Sequence, residues 1–185
     1  VGKSTLAVNI AGALAGKAPT ALQDEDATMQ TSAGWISPGK IQTVELLGSS
    51  DRPKSGTEYL VVDIEGRPNL SDLVDLAERA TVVIPTNTNG TELEPTVALW
   101  KRLEASKANM ANIRVVITKA PPTGNVGAAA RDELRSLGLT VCNTVVRQYA
   151  AHARAQEQRV LVREVQDARA ENAWSDILSL ALELS

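Results

Sequence analysis

Six short apolar runs, separated by helical patterns or polar loops and never by a tight hairpin signal, leave this chain few ways to fold. They lie at 20–23, 40–46, 58–63, 81–85, 113–118 and 140–146. Apolar residues follow one another in most of these runs instead of alternating with polar ones, the pattern of strands covered on both faces of a parallel sheet. The intervening helical patterns span 3–14, 70–80, 92–106 and 128–137, with further helices from about 149 and over 168–184. Leu6, Ile10 and Leu14 share one face of the first helix, and Gly16 ends it. Ser71 is placed to cap the helix from 70, Pro85 to stop its strand, and Gly138 to end a helix. Residues 27–39 read as a loop with room for one helical turn, and 48–56 as a surface loop. The expected fold is α/β: an open, mostly parallel, twisted sheet with helices on both faces, in a single domain over 1–185.

Composition narrows the function classes. The chain has 185 residues, 43% hydrophobic and 22% charged, enough for a sizeable core, and with no Phe that core is aliphatic. The one cysteine, Cys142, excludes a disulfide framework and a cysteine-cluster metal site within one chain, and reads as a small buried residue on a strand. No run approaches the ~18 apolar residues of a membrane span and no secretory signal opens the chain, so a cytoplasmic protein is expected. The net charge of −3 does not advertise nucleic-acid binding. From residue 113 onward, however, eight of nine basic residues are arginines, and a local basic surface there is compatible with the sequence.

The chemistry starts at Val1-Gly2-Lys3-Ser4-Thr5. Gly-Lys-Ser opening a helix is the second half of a phosphate-binding loop. The lysine brings a mobile cation to the β- and γ-phosphates, the serine hydroxyl can ligate Mg²⁺, and the helix start presents N–H groups to anionic oxygens. The strand and glycine that begin such a loop do not precede Gly2 in this sequence. A plain helix start capped by Ser4 would look much the same. Asp24, Asp26 and Asp63 shift the balance, because they sit at or just beyond strand ends, where open parallel sheets bind ligands. Triphosphate hydrolysis needs a cation on the phosphates, a hydroxyl and a carboxylate for Mg²⁺, and a group orienting water. Lys3, Ser4, Asp63 and the Asp24/Asp26 pair supply these types.

Over nearly its whole length the chain resembles the ParA-type partition ATPases of the deviant-Walker ParA/MinD family. Gly2-Lys3-Ser4-Thr5 and the helix after it resemble that family's phosphate-binding segment, and Asp24-Glu25-Asp26 its Asp-x-Asp-Pro. Leu60-Val61-Val62-Asp63-Ile64-Glu65-Gly66 resembles its Walker B strand and turn. Val83-Ile84-Pro85-Thr86 and Thr144-Val145-Val146-Arg147 resemble later strands. The resemblance implies that Gly2, Lys3, Ser4 and Thr5 bind ATP, with Lys3 on the β- and γ-phosphates. It implies Mg²⁺ held by Ser4 and, through water, by Asp63, with Asp24 supporting the site and Asp26 positioning the attacking water. Ala27 and Glu65 stand where the family has prolines, and the family's signature lysine lies N-terminal to Val1.

The same resemblance implies an ATP-driven homodimer, non-specific DNA on the nucleoid as a binding surface, and a ParB-like partner that stimulates hydrolysis. Arg147, Arg154, Arg159 and Arg163 fall in the stretch that resembles the family's DNA-facing part, although Glu157 and Glu164 interleave with them. His152, Lys119 and the three tryptophans read as structural or solvated. A MinD-like membrane-positioning ATPase is the nearest alternative. It calls for a basic amphipathic tail, and residues 170–185 contain no Lys or Arg, so no membrane partner is expected. An iron protein of the nitrogenase type needs two cysteines per chain. An ATP-dependent amide ligase and a catalytically impaired scaffold that keeps the fold are the remaining readings.

Overall fold

The computed structural model describes residues 2–25, 31–36, 41–64 and 68–185. In chain order the elements are α1 (Lys3–Ala15), β1 (Thr20–Asp24), α2 (Thr31–Ile36), β2 (Val44–Leu47), β3 (Tyr59–Asp63), α3 (Leu70–Ala77) and β4 (Val82–Thr86). They continue with α4 (Gly90–Ala105), β5 (Ile113–Ala120), α5 (Val126–Ser136), β6 (Val141–Arg147), α6 (Ala150–Gln158) and α7 (Ala170–Leu184). Single 3₁₀ turns occur at Met110–Asn112 and Val162–Glu164. The expectations placed on Asp26, Ala27, Glu65, Gly66 and the turn at 37–39 lie outside the described residues.

The chain divides into two compact units, Gly2–Gly66 with Tyr149–Leu182, and Arg67–Gln148 with Glu183–Ser185. The first holds a three-stranded sheet in the order β2-β1-β3, with both pairings parallel. Its core is α1. Where the sequence suggested one buried face, every residue from Leu6 to Leu14 is buried, because α1 packs against β1 and β3 on one side and α2 on another. Burying a Leu, Ile or Val side chain contributes roughly 1.5–3 kcal/mol, so α1, with Leu6, Val8, Ile10 and Leu14 buried, is a substantial part of this unit's core. Gly12 lets the chain from the C-terminal part come close: a Cβ at this position would stand 2.4 Å from Leu161 Cδ2.

β3 departs from the expectation of a strand covered on both faces. Leu60 and Val62 are 46% and 38% exposed, alternating with half-buried Tyr59 and Val61. Among the described residues β3 pairs with β1 alone, and a run of apolar residues does not by itself say which faces are covered.

The second unit holds the sheet β4-β5-β6, also parallel throughout. Val115, Val116 and Ile117 of the central β5 are fully buried. Pro85 does not stop β4 but sits inside it opposite Val116; among the described residues β4 pairs with β5 alone, and an edge strand can accommodate a residue that lacks an N–H. The N-cap of α3 is Asn69, and Ser71 lies within the helix, its hydroxyl directed to Asp72. Gly138, at φ 89°, follows α5 as expected. Cys142 is a buried strand residue, and burial, with the charge of Glu183 adding to it, pushes its thiol up to about 11. The register of β6 is irregular, and the Glu183 carboxylate accepts the N–H groups of Asn143 at 2.5 Å and Thr144 at 2.9 Å.

Candidate functional site

Three chain segments of the first unit converge at the carboxyl ends of β1 and β3. Parallel pairing puts Asp24 and Asp63 in register as the last residues of their strands, and the Glu25 N–H donates to the Asp63 carbonyl at 2.9 Å, fixing the chain just past them. α1 begins beside this edge. Gly2 is its N-cap in a left-handed conformation, φ 79°, which costs a glycine little. The Leu6 N–H closes the first turn on the Gly2 carbonyl at 3.0 Å. No side chain caps the helix, so the bland reading of Ser4 as a cap does not hold, and the first-turn N–H groups have no intrahelical acceptor.

The Ser4 hydroxyl serves Asp63 instead. Asp63 is only 3% exposed, and burial raises its carboxyl from the ordinary 3.8. The hydroxyls of Ser4 and Ser32 and the Lys3 cation favour the charged form, while the neighbouring charge of Asp24 adds to burial; the raising influences win. Oδ2 of Asp63 has no hydrogen-bond partner among the described residues. Asp24 is buried too, and its Oδ2 accepts the Ala33 N–H at 2.8 Å, tying β1 to α2.

The arrangement is short of positive charge. A buried carboxylate with an orphaned oxygen, a hydroxyl beside it, a lysine and an uncapped helix start form a donor set suited to a hydrated divalent cation and an anionic ligand. The residues therefore fit Mg²⁺ with phosphate. Ser4 and Asp63 can hold the cation, and Lys3 with the first-turn N–H groups of α1 can hold the anion.

No family model matches the chain. A curated relative, the maintenance of carboxysome distribution protein A of Gloeobacter kilaueensis, is 29% identical over 195 residues, covering 100% of this chain and 88% of that protein. Among solved structures, the cell division protein MinD of Aquifex aeolicus superposes with a TM-score of 0.72 at 15% identity, covering 100% of this chain and 92% of its own. A ParA-family ATPase from Chlorobium tepidum TLS gives 0.70 at 16% identity, covering 99% and 94%. The chain has the ParA/MinD fold. The resemblance stated from the sequence thus extends to the three-dimensional structure.

On this ParA/MinD fold the sequence-nominated residues are not all brought together. Gly2, Lys3, Ser4, Thr5, Asp24 and Asp63 belong to the first unit and to the edge just described. Asp26 lies outside the described residues. Of the four arginines, Arg154, Arg159 and Arg163 belong to the first unit and Arg147 to the second. Arg154 is ion-paired with Asp167 at 2.6 Å. Arg163 lies over the Trp174 ring, 5.0 Å from its centroid. Arg159 is exposed and ends α6 in a left-handed conformation at φ 57°.

Two residues at or behind the site, Ser32 and Asn9, were not singled out from the sequence, and Trp35 was read there only as a structural tryptophan. Ser32 is buried next to Asp63 on a helix of six residues, too short to announce itself by periodicity. Trp35, on the same helix, donates its indole N–H to the Val160 carbonyl at 3.0 Å. Asn9 had a legible signal, a carboxamide within an otherwise aliphatic helix, but not a legible partner.

Proposed function

We propose that the chain is a Mg²⁺-dependent ATPase of the ParA/MinD type that positions a cellular cargo, working as an ATP-driven dimer on non-specific DNA. The observation that carries the reading is the orphaned, buried Asp63 carboxylate beside the Ser4 hydroxyl at the uncapped start of α1. The name of the Gloeobacter relative describes a protein that maintains the distribution of a cellular body, and the Chlorobium neighbour is an ATPase by name. Both support the same class.

In this reading Lys3 and the α1 N–H groups bind and orient the β- and γ-phosphates. Ser4 and Asp63 hold the cation, which when bound neutralises charge building up on the phosphates. Asp24, fixed through the Ala33 N–H, keeps a second negative charge near Asp63 and so favours a cation there. Asp26 orients the attacking water. A ParB-like partner that accelerates hydrolysis fits a cycle of DNA binding and release. A membrane-bound, MinD-like cycle is less well supported: α7 carries Glu171, Asp176 and Glu183 and no basic residue. Among the described residues no helix is long and apolar enough to cross a membrane.

The test is ATP turnover with and without non-specific duplex DNA, for the wild type and Lys3→Ala. Wild type should hydrolyse ATP faster with DNA, and Lys3→Ala should lose about 100-fold or more, the usual cost of removing a group that stabilises transferring charge. Absence of Mg²⁺-dependent turnover in the wild type, with or without DNA, would leave the scaffold reading standing.

A further inference from the structure

Ser32 Oγ is buried at 0% exposure and, like Asp63 Oδ2, has no hydrogen-bond partner among the described residues. Each orphan carries a cost: about 1–3 kcal/mol for an unpaired buried hydroxyl, and more for a charged group. The two are neighbours, since the Ser32 hydroxyl lies close enough to favour the charged form of Asp63. A serine offers one donor and two acceptor sites and a carboxylate only acceptors, so the pair could satisfy each other directly. The Ser32 hydroxyl stands near enough to act on Asp63 as a donor, yet the geometry closes no hydrogen bond on Ser32 Oγ or on Asp63 Oδ2 among the described residues.

The backbone around Ser32 is not free to drift. Ala33, the next residue, donates its N–H to Asp24 at 2.8 Å. Trp35, 2% exposed, is hydrogen-bonded through its indole to Val160, and Ile36 is buried beside it. α2 is thus pinned to the end of β1 and to the segment after α6. The hydroxyl between these anchors is held toward the carboxylate by the fold.

We propose that Ser32 is a positioning residue for the divalent cation of the nucleotide site, its hydroxyl holding one of the cation's water molecules against Asp63. Mg²⁺ and Mn²⁺ keep several waters when bound through one or two protein oxygens, and each such water needs an acceptor behind it. Ser32 and Asp63 provide two acceptors that nothing else among the described residues uses. The inference rests on the nucleotide-site reading above and adds to it a residue from α2.

The experiment measures Mn²⁺ binding by electron paramagnetic resonance in the presence of a non-hydrolysable ATP analogue, for wild type and Ser32→Ala. Thermal melting without metal or nucleotide, and analogue binding without metal, are measured alongside. Ser32→Ala should weaken Mn²⁺ binding by about 10-fold or more, the usual loss when a group behind a metal's ligands is removed. It should leave the metal-free melting temperature unchanged or raised, because an unpaired hydroxyl is removed, and leave metal-free analogue binding within about 2-fold. A merely structural serine would instead lower the metal-free melting temperature. Mn²⁺ binding equal to wild type, or a loss matched by metal-free destabilisation, overturns the inference while the nucleotide site stands. Failure of the wild type to bind Mn²⁺ with the analogue overturns both.

Discussion

The backbone N–H of Val162 donates to Asn9 Oδ1 at 2.9 Å, joining α1 to a segment 153 positions later in the chain. The same carboxamide donates from Nδ2 to the Thr5 carbonyl, also at 2.9 Å, in the first turn of α1. Asn9 is completely buried, and its Oδ1 satisfies an N–H group of Val162 that is itself buried. Leu161, between Val160 and Val162, fills the space over Gly12. Three consecutive residues are therefore fixed, two by α1 and one through its carbonyl by Trp35 of α2.

Asn9→Leu keeps the shape and removes both functions of the amide. It should destabilise the protein by about 1–3 kcal/mol, chiefly because the Val162 N–H is left buried and unpaired. Asn9→Asp keeps an acceptor but brings a negative charge into a fully buried position, and should cost at least as much. Urea denaturation followed by circular dichroism reads both. A midpoint for Asn9→Leu equal to that of wild type would mean that the bond contributes nothing net.

Asp63→Asn separates stability from function. In the metal-free protein the wild-type carboxylate is buried with one oxygen unpaired, and the amide removes the charge while keeping the shape. The melting temperature of the metal-free protein at neutral pH should rise, while Mg²⁺-dependent ATP turnover falls by about 100-fold or more. Such a trade is the usual mark of a strained functional group. A drop in metal-free stability instead would assign Asp63 a structural role.

The sequence was informative where a signal is local. Strand ends marked by Asp24 and Asp63, the helix opening at Lys3, and the glycine after α5 all follow from short-range chemistry. The proline in β4 misled because proline stops a central strand but not an edge one, and edges are set by pairing. Leu60 and Val62 misled for the same reason, as an apolar run does not disclose its uncovered side. Ser32 and the partner of Asn9 stayed hidden because their meaning depends on residues distant in the chain.

Glu183 makes a pH-dependent contribution whose sign is fixed by its partners. Burial pushes its carboxyl up, but the N–H groups of Asn143 and Thr144, the Thr144 hydroxyl and the Arg135 charge outweigh it and hold it below the ordinary 4.5. A carboxyl depressed by folding adds stability that is present above its unfolded pKa and lost as pH falls through the folded value. Wild-type stability should therefore decline as pH drops below about 4.5. Glu183→Gln keeps one acceptor and turns a donor toward the other N–H. It should melt lower than wild type at pH ~7, with the difference closing toward pH ~3 as the wild-type carboxylate is protonated. A constant difference across that range would show that charge is not what Glu183 contributes.

The three arginines of the first unit should not be equivalent toward DNA. Arg154 is already committed to Asp167 at 2.6 Å, whereas Arg159 is exposed and Arg163 rests on an aromatic ring that leaves its positive charge intact. A cation that neutralises a phosphate releases counterions, and its removal lowers the salt dependence of binding as well as the affinity. If the protein binds non-specific duplex DNA as proposed, Arg159→Ala and Arg163→Ala should each weaken binding several-fold at low salt. Each should also reduce the slope of log Kd against log salt by ~0.9. Arg154→Ala should change that slope less and lower thermal stability slightly through the loss of its ion pair, a partly exposed contact of ~1 kcal/mol or less. Fluorescence anisotropy with a labelled duplex across a salt series gives all three slopes. Unchanged slopes for Arg159→Ala and Arg163→Ala would move the DNA-binding surface away from the α6–α7 segment.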